Sequence, residues 1–309
     1  MLAILLKTLP FFALIGLGWF AGRIRFFPQE ATAWLTRFVF FFALSAMLFR
    51  FAATLPLARI FEVWFVLAYL SGSFLVYAVV FAVARLRDRP LAEAAMESHA
   101  AISGNTGFLG VPLLIALLGQ AAAGPVLMVL TLDMFVFSSL ITLIVAASRE
   151  GHLRLSALVP LAAGLVRNPM IVSMAAGFSW SVAGLPVTGP FDDFLLLLGA
   201  AATPGALFAI GASLAAKSAE RIEVAAWLAF AKLVLHPAAV GVAAFRIFPV
   251  DRFAAGAMVA AAALPVAGNV YMLAQHFGVA PRRVSAAILV STAASLLTVT
   301  AVVALVGTG

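Results

Sequence analysis

The sequence predicts an all-α membrane protein of ten transmembrane helices, arranged as a five-plus-five inverted repeat in which helices 4 and 9 are broken where they cross. Three observations predict it: the composition, a series of long apolar runs, and a self-match between the two halves. The 309-residue chain is 65% hydrophobic and 10% charged, with a mean hydropathy of +1.15. Soluble domains are roughly 45–50% apolar and 25% charged, so residues 1–309 read as a single polytopic membrane domain. The chain has no cysteine, which excludes disulfides and thiolate metal sites.

Apolar runs of 18 or more residues cover about 4–22, 34–54, 61–84, 92–118, 124–147, 169–187, 194–216, 224–247, 254–277 and 284–306. The first is N-terminal, but Lys7 and Pro10 interrupt its start and nine further runs follow, so it reads as a span and not as a cleaved signal. The longest connection, Ser148 to Asn168, is too short for a soluble domain. On alternate sides of the spans, 13 Lys and Arg face 5. The richer side carries Arg23, Arg25, Arg85, Arg149, Arg154, Arg283 and others, and the poorer side Lys7, Arg50, Arg59, Arg246 and Arg252. The richer side is expected in the cytoplasm, with both termini outside it and the protein in a cell inner (plasma) membrane. The net charge of +7 then reflects topology, and no nucleic-acid partner is expected.

Within the fourth run, AISGNTGFLGVP from Ala101 to Pro112 has a composition that an uninterrupted lipid-facing helix does not use. Its glycines favour other backbone conformations, and Pro112 removes an N–H, so a break is expected between about Gly104 and Pro112. Backbone freed in this way survives in a membrane only when it is buried in protein or lines a cavity. At an offset of 159, Pro10 and Gly18 fall on Pro169 and Gly177, and Leu48-Phe49 on Leu207-Phe208. The same offset lays Asn105–Pro112 on Leu264–Tyr271, where Pro265, Gly268 and Asn269 interrupt the ninth run. Five spans per half give repeat one, 1–150, and repeat two, 160–309, opposite topologies. Two independently kinked helices are the plainer alternative.

SGNTGFLGVPL in the fourth run, Asn168-Pro169 opening the sixth, Lys232 with His236-Pro237 in the eighth and LPVAGNVYMLAQHFG in the ninth resemble the auxin efflux carrier family over the whole chain. That family includes plant PIN transporters and bacterial permeases for malate, malonate and similar anions. The resemblance implies a fold similar to bile-acid transporters and sodium/proton antiporters, with helices 1, 2, 6 and 7 as scaffold and helices 3–5 and 8–10 as a moving core. It implies an elevator-type secondary transporter, an import or efflux permease for small organic anions, and it allows a homodimer through the scaffold. Two departures stand out: the long hydrophilic loop of many plant members is replaced by Ser148 to Asn168, and Pro112 and Pro265 do not coincide at the repeat offset.

Substrate-binding candidates are Asn105, Thr106, Gly107, Gly110 and Pro112 in the first break and Pro265, Gly268, Asn269 and Tyr271 in the second. A helix that restarts after a break presents unpaired N–H groups and a positive dipole end, which hold a carboxylate without burying a full charge. The alternative is that Asn105 and Asn269 only cap backbone that their own breaks expose. Coupling or gating candidates are Asp133 and Lys232, ionisable groups within spans, together with His99. Asp133 and Lys232 occupy places similar to the charged pair of sodium/proton antiporters, a resemblance that implies coupling to H+ or Na+, with a static neutralised pair as the other reading; no further cofactor and no metal are expected. Glu97 and His99, a turn or two into the fourth span, are candidates to line a water-filled vestibule, and His236 is expected in a packing role. No His belongs to HExxH, Ser103 lacks GxSxG and no paired aspartyl site exists, so no enzyme is expected. A passive anion channel or uniporter is the rival reading.

Overall fold

A computed structural model describes residues 2–54, 62–150, 163, 166–215 and 222–306. Arg59, His152, Arg154, Lys217 and Arg221 lie outside the described residues, as does most of the Ser148 to Asn168 connection. In chain order the helices are α1 (Leu2–Arg23), α2 (Gln29–Thr54), α3 (Val63–Leu86), α4 (Leu91–Ile102), α5 (Thr106–Leu118) and α6 (Gln120–Arg149). They continue as α7 (Pro169–Val182), α8 (Gly189–Ala215), α9 (Ile222–Ile247), α10 (Arg252–Ala262), α11 (Gly268–Phe277) and α12 (Pro281–Val306). No strand occurs among the described residues, and one isolated antiparallel bridge joins Gly104 to Val266.

A bilayer core takes about 20 helical residues to cross. Seven of these helices, α1, α2, α3, α6, α8, α9 and α12, are long and apolar enough to do so. Their outer faces carry large apolar side chains in the open: Leu75 is 60% exposed, Leu297 68% and Leu197 79%. Such a surface is stable in lipid and not in water. The protein is therefore a multi-pass membrane protein. The fourth and ninth predicted spans each come in two pieces, α4 with α5 and α10 with α11, and the sixth begins at α7 with only 14 residues.

Local chemistry shapes these helices. Pro10 lies inside α1 without ending it. Wide π-type turns at Thr106–Gly110 and Ala231–Leu235 stand just before Pro112 and Pro237. A proline leaves the carbonyl four residues back without its donor, and a wider turn relieves the resulting crowding. In two other π-type turns a serine five residues on donates to the loosened carbonyl: Ser45 to Phe40 at 3.0 Å and Ser138 to Asp133 at 3.2 Å.

The helices pack as two sets. In one, α1 lies along α8 and α7 along α2, with α2 also against α8. A Cβ on Gly18 of α1 would strike the carbonyl oxygen of Phe208 in α8, and one on Gly177 of α7 would strike that of Phe49 in α2. Such backbone contact is how membrane helices gain packing energy where lipid offers no hydrophobic drive. Arg50 of α2 clasps Asp192 of α8 through Nε at 2.5 Å and Nη2 at 3.2 Å. In the other set α3, α4, α6, α9, α10 and α12 pack on one another. There Glu97 of α4, fully buried, accepts from Arg87 and from Arg283 at 2.7 Å, while Arg283 also reaches Glu93 at 2.6 Å. The sets meet where α1 touches α5 and α12, and where α8 touches the start of α5.

Candidate functional site

The two interruptions run antiparallel and satisfy each other. Asn105 N–H donates to the Pro265 carbonyl at 2.8 Å, and Ala267 N–H donates to the Ser103 carbonyl at 3.1 Å. Between them Val266 N–H donates to Ser291 Oγ of α12 at 3.1 Å. Backbone exposed by Gly104 and Pro265 thus finds partners inside the protein, as a lipid-immersed chain requires. Gly110 lets the segments close, since a Cβ there would strike Leu264 Cδ1. Gly107 instead abuts Met170 of α7 and Leu130 of α6.

Four half-helix ends meet at this crossing, and their electrostatics divide. The C-terminal ends of α4 and α10 face Lys232, which is fully buried. Its Nζ donates to the carbonyl of Ala262, the last residue of α10, and a Cβ on Gly104 would lie 3.3 Å from it. An ammonium at a helix C-terminus is favoured by the dipole and takes up an orphan carbonyl. Lys232 also donates to His236 Nδ1 at 3.1 Å, and His236 Nε2 lies 2.9 Å from Ser73 Oγ of α3. Lysine has no acceptor, so His236 Nδ1 accepts and Nε2 carries the hydrogen toward Ser73. The packing role expected for His236 gives way to a polar one.

Asp133, 6% exposed, accepts from Tyr69 O–H at 2.6 Å through Oδ1, and its Oδ2 has no partner. Among the described residues no ion pair joins Asp133 to Lys232. Each makes its hydrogen bonds with other neighbours, while the two charges still attract one another across the site. His99 is fully buried with Ser103 Oγ 3.2 Å from Nδ1, and Glu97 is neutralised by Arg87 and Arg283. In this structure neither Glu97 nor His99 is exposed, and two arginines partner the carboxylate.

The N-terminal ends of α5 and α11 face the other way, into a cavity of about 530 Å³. Asn105, Gly107, Gly268 and Asn269 line it, whereas Thr106, Gly110, Pro112, Pro265 and Tyr271 do not. Thr106 Oγ1 turns to the Gly104 carbonyl at 3.4 Å, and Tyr271 accepts from Gln275 at 2.9 Å. Neither break is closed by an asparagine side chain: Asn105 is the N-cap residue of α5 and makes no capping bond, and the N-cap of α11 is Ala267. Asn269 Oδ1 is buried with no partner. The alternative role as caps is therefore not the one these side chains play.

Most of the cavity wall was not among the candidates. Met134, Ser138, Thr142, Val145 and Arg149 run up one face of α6 at helical spacing. Polar residues at that period inside an apolar span are a signal the sequence carried. Phe40 of α2 and Phe108 of α5 stack across the wall with centroids 6.0 Å apart. Asn168 also lines the cavity, while its Oδ1 caps α7 at Met170 N–H, 3.0 Å away.

A buried crossing of interrupted helices at the end of a cavity, in a multi-pass membrane protein, is the kind of site that membrane transporters build. The comparisons agree. The family described as "Membrane transport protein" matches residues 3–303. The chain is 33% identical over 308 residues, covering 98% of itself and 95% of the other, to a protein of Rhizobium meliloti (strain 1021) named "Putative malonate transporter". It belongs to this membrane transport protein family, the auxin efflux carrier family that its motifs resemble, and it is a membrane transporter.

Proposed function

We propose that this transporter is a secondary active carrier of small organic anions, dicarboxylates such as malonate or malate among them, with the anion held between Asn105 and Asn269. One observation carries the reading: the cavity ends on two helix N-termini flanked by asparagines that make no capping bond. Amide donors and positive dipole ends converge there, and no Asp or Glu lines the cavity among the described residues. The named function of the relative points to the same class of substrate.

Movement is of the elevator type in this reading, with α3–α6 and α9–α12 sliding as a core against α1, α2, α7 and α8. The division of packing into two sets supports it, and so does the cavity's place between α2, α7 and the crossing. Ten crossings in two inverted halves follow if each broken pair spans the membrane once. Gly18 on Phe208 and Gly177 on Phe49 support this, because the repeat offset turns one contact into the other. The proposal extends to an inner-membrane location, a cytoplasmic face bearing the arginine-rich loops, and coupling to H+ or Na+ through Asp133. Purified protein in liposomes tests it: malonate uptake should saturate and be accelerated by malonate on the far side. Linear flux or single-channel currents would replace the carrier with a channel.

A further inference from the structure

We propose that Arg149 makes the mouth of the cavity an electrostatic filter that admits anions and repels cations, on the reading of this cavity as the substrate's path. Arg149 lines the cavity at the end of α6, two turns beyond Thr142, and is exposed. Its Nη2 donates to the carbonyl of Phe277 in the last turn of α11 at 2.5 Å, which fixes the guanidinium at the exposed end of the lining. A guanidinium has five N–H donors, and this bond takes one. His276 lines the same rim, edge-on to Phe277 at 5.0 Å. No carboxylate lines the cavity among the described residues to oppose them, and Phe40, Phe108, Leu130 and Met272 make the walls apolar. In a passage with low-dielectric walls, one fixed charge at the rim raises the local concentration of its counter-ion. The plain alternative is that Arg149 only closes the C-terminal end of α11.

Because the chain has no cysteine, Thr142→Cys supplies a single thiol inside the cavity. Its thiolate attacks the sulfenyl sulfur of a methanethiosulfonate reagent, forms a disulfide and releases methanesulfinate. The measurement is the ratio of reaction rates for a sulfonate-bearing reagent and a trimethylammonium-bearing one, which cancels the thiol's own reactivity. Adding Arg149→Gln should lower that ratio at least about threefold, Arg149→Lys should preserve it, and high salt should shrink the difference. An unchanged ratio in Arg149→Gln, even with a lowered melting temperature, would leave Arg149 as a helix cap and overturn the proposal. So would a thiol that neither reagent reaches. Asn105→Ala in the same background should not move the ratio, so the filter and the carboxylate site at the crossing can fail separately.

Discussion

Asn105 and Asn269 carry the sharpest test at the residue scale. Their side chains do not close the helix ends beside them, so truncation should remove bonds to the anion and leave the fold intact. Asn105→Ala or Asn269→Ala should weaken malonate binding by about 1.5–3 kcal/mol, the range for a hydrogen bond to a charged group, with little change in the ligand-free melting temperature. Calorimetry on detergent-purified protein decides it, and wild-type affinity in both would place the carboxylate elsewhere. Tyr69 makes the opposite prediction. Its hydroxyl is the partner of a carboxylate whose other oxygen already has none. Tyr69→Phe should therefore lower stability by about 1–3 kcal/mol in a thermal melt. If Asp133 carries the coupling proton, Asp133→Asn should abolish the pH dependence of net uptake while malonate binding stays within about tenfold, roughly 1.4 kcal/mol. Retained pH dependence in a folded variant would leave Asp133 a structural partner of Tyr69.

At the scale of the helix, two glycines of α1 that look alike in sequence have different duties. Gly18 lies on the backbone of α8, while Gly16 has nothing within 4 Å of where a Cβ would sit. Gly18→Ala should force α1 from α8 and cost about 1–3 kcal/mol by overpacking, whereas Gly16→Ala should leave the melting temperature unchanged or raised. Equal effects would mean that the α1–α8 contact is looser than described. The broken helices show the same dependence on neighbours. Gly110 serves the crossing itself, through Leu264, but Gly107 serves the wall toward α7, through Met170. A bulky residue at Gly107 should thus narrow the cavity before it disturbs the crossing.

For the whole molecule, the bonds at the crossing refine the proposed repeat. They exchange Ser103 with Pro265 and Asn105 with Ala267, a separation of 162 residues, where α1 and α7 follow 159. At a separation of 162 Pro112 falls on Ala274, so the two prolines stay non-equivalent, and Asn105 corresponds to Ala267 in place of Leu264. The inverted arrangement has a direct test in topology. A reporter active only in the cytoplasm should be silent when fused after Gly309 and active when inserted near His152. The reverse pattern would turn the molecule over in the membrane and put Arg149 at an outer mouth.

The sequence by itself determined the environment, the helical class and the two interruptions, because these depend on composition and on local backbone chemistry: long apolar runs need lipid, and Gly104, Pro112, Pro265 and Gly268 cannot sustain a plain helix. It also exposed Asn105, Asn269, Asp133 and Lys232 as polar groups in costly places. Their partners were beyond it. That Lys232 closes α10, that Asp133 takes its bond from Tyr69, and that Glu97 reaches Arg283 are all contacts between helices apart in sequence. The cavity wall on α6 and α7 was equally hidden, since a stripe of Ser138, Thr142 and Arg149 becomes a lining only when another helix leaves it uncovered. Local periodicity fixes which face of a helix is polar, but only tertiary packing decides what that face meets.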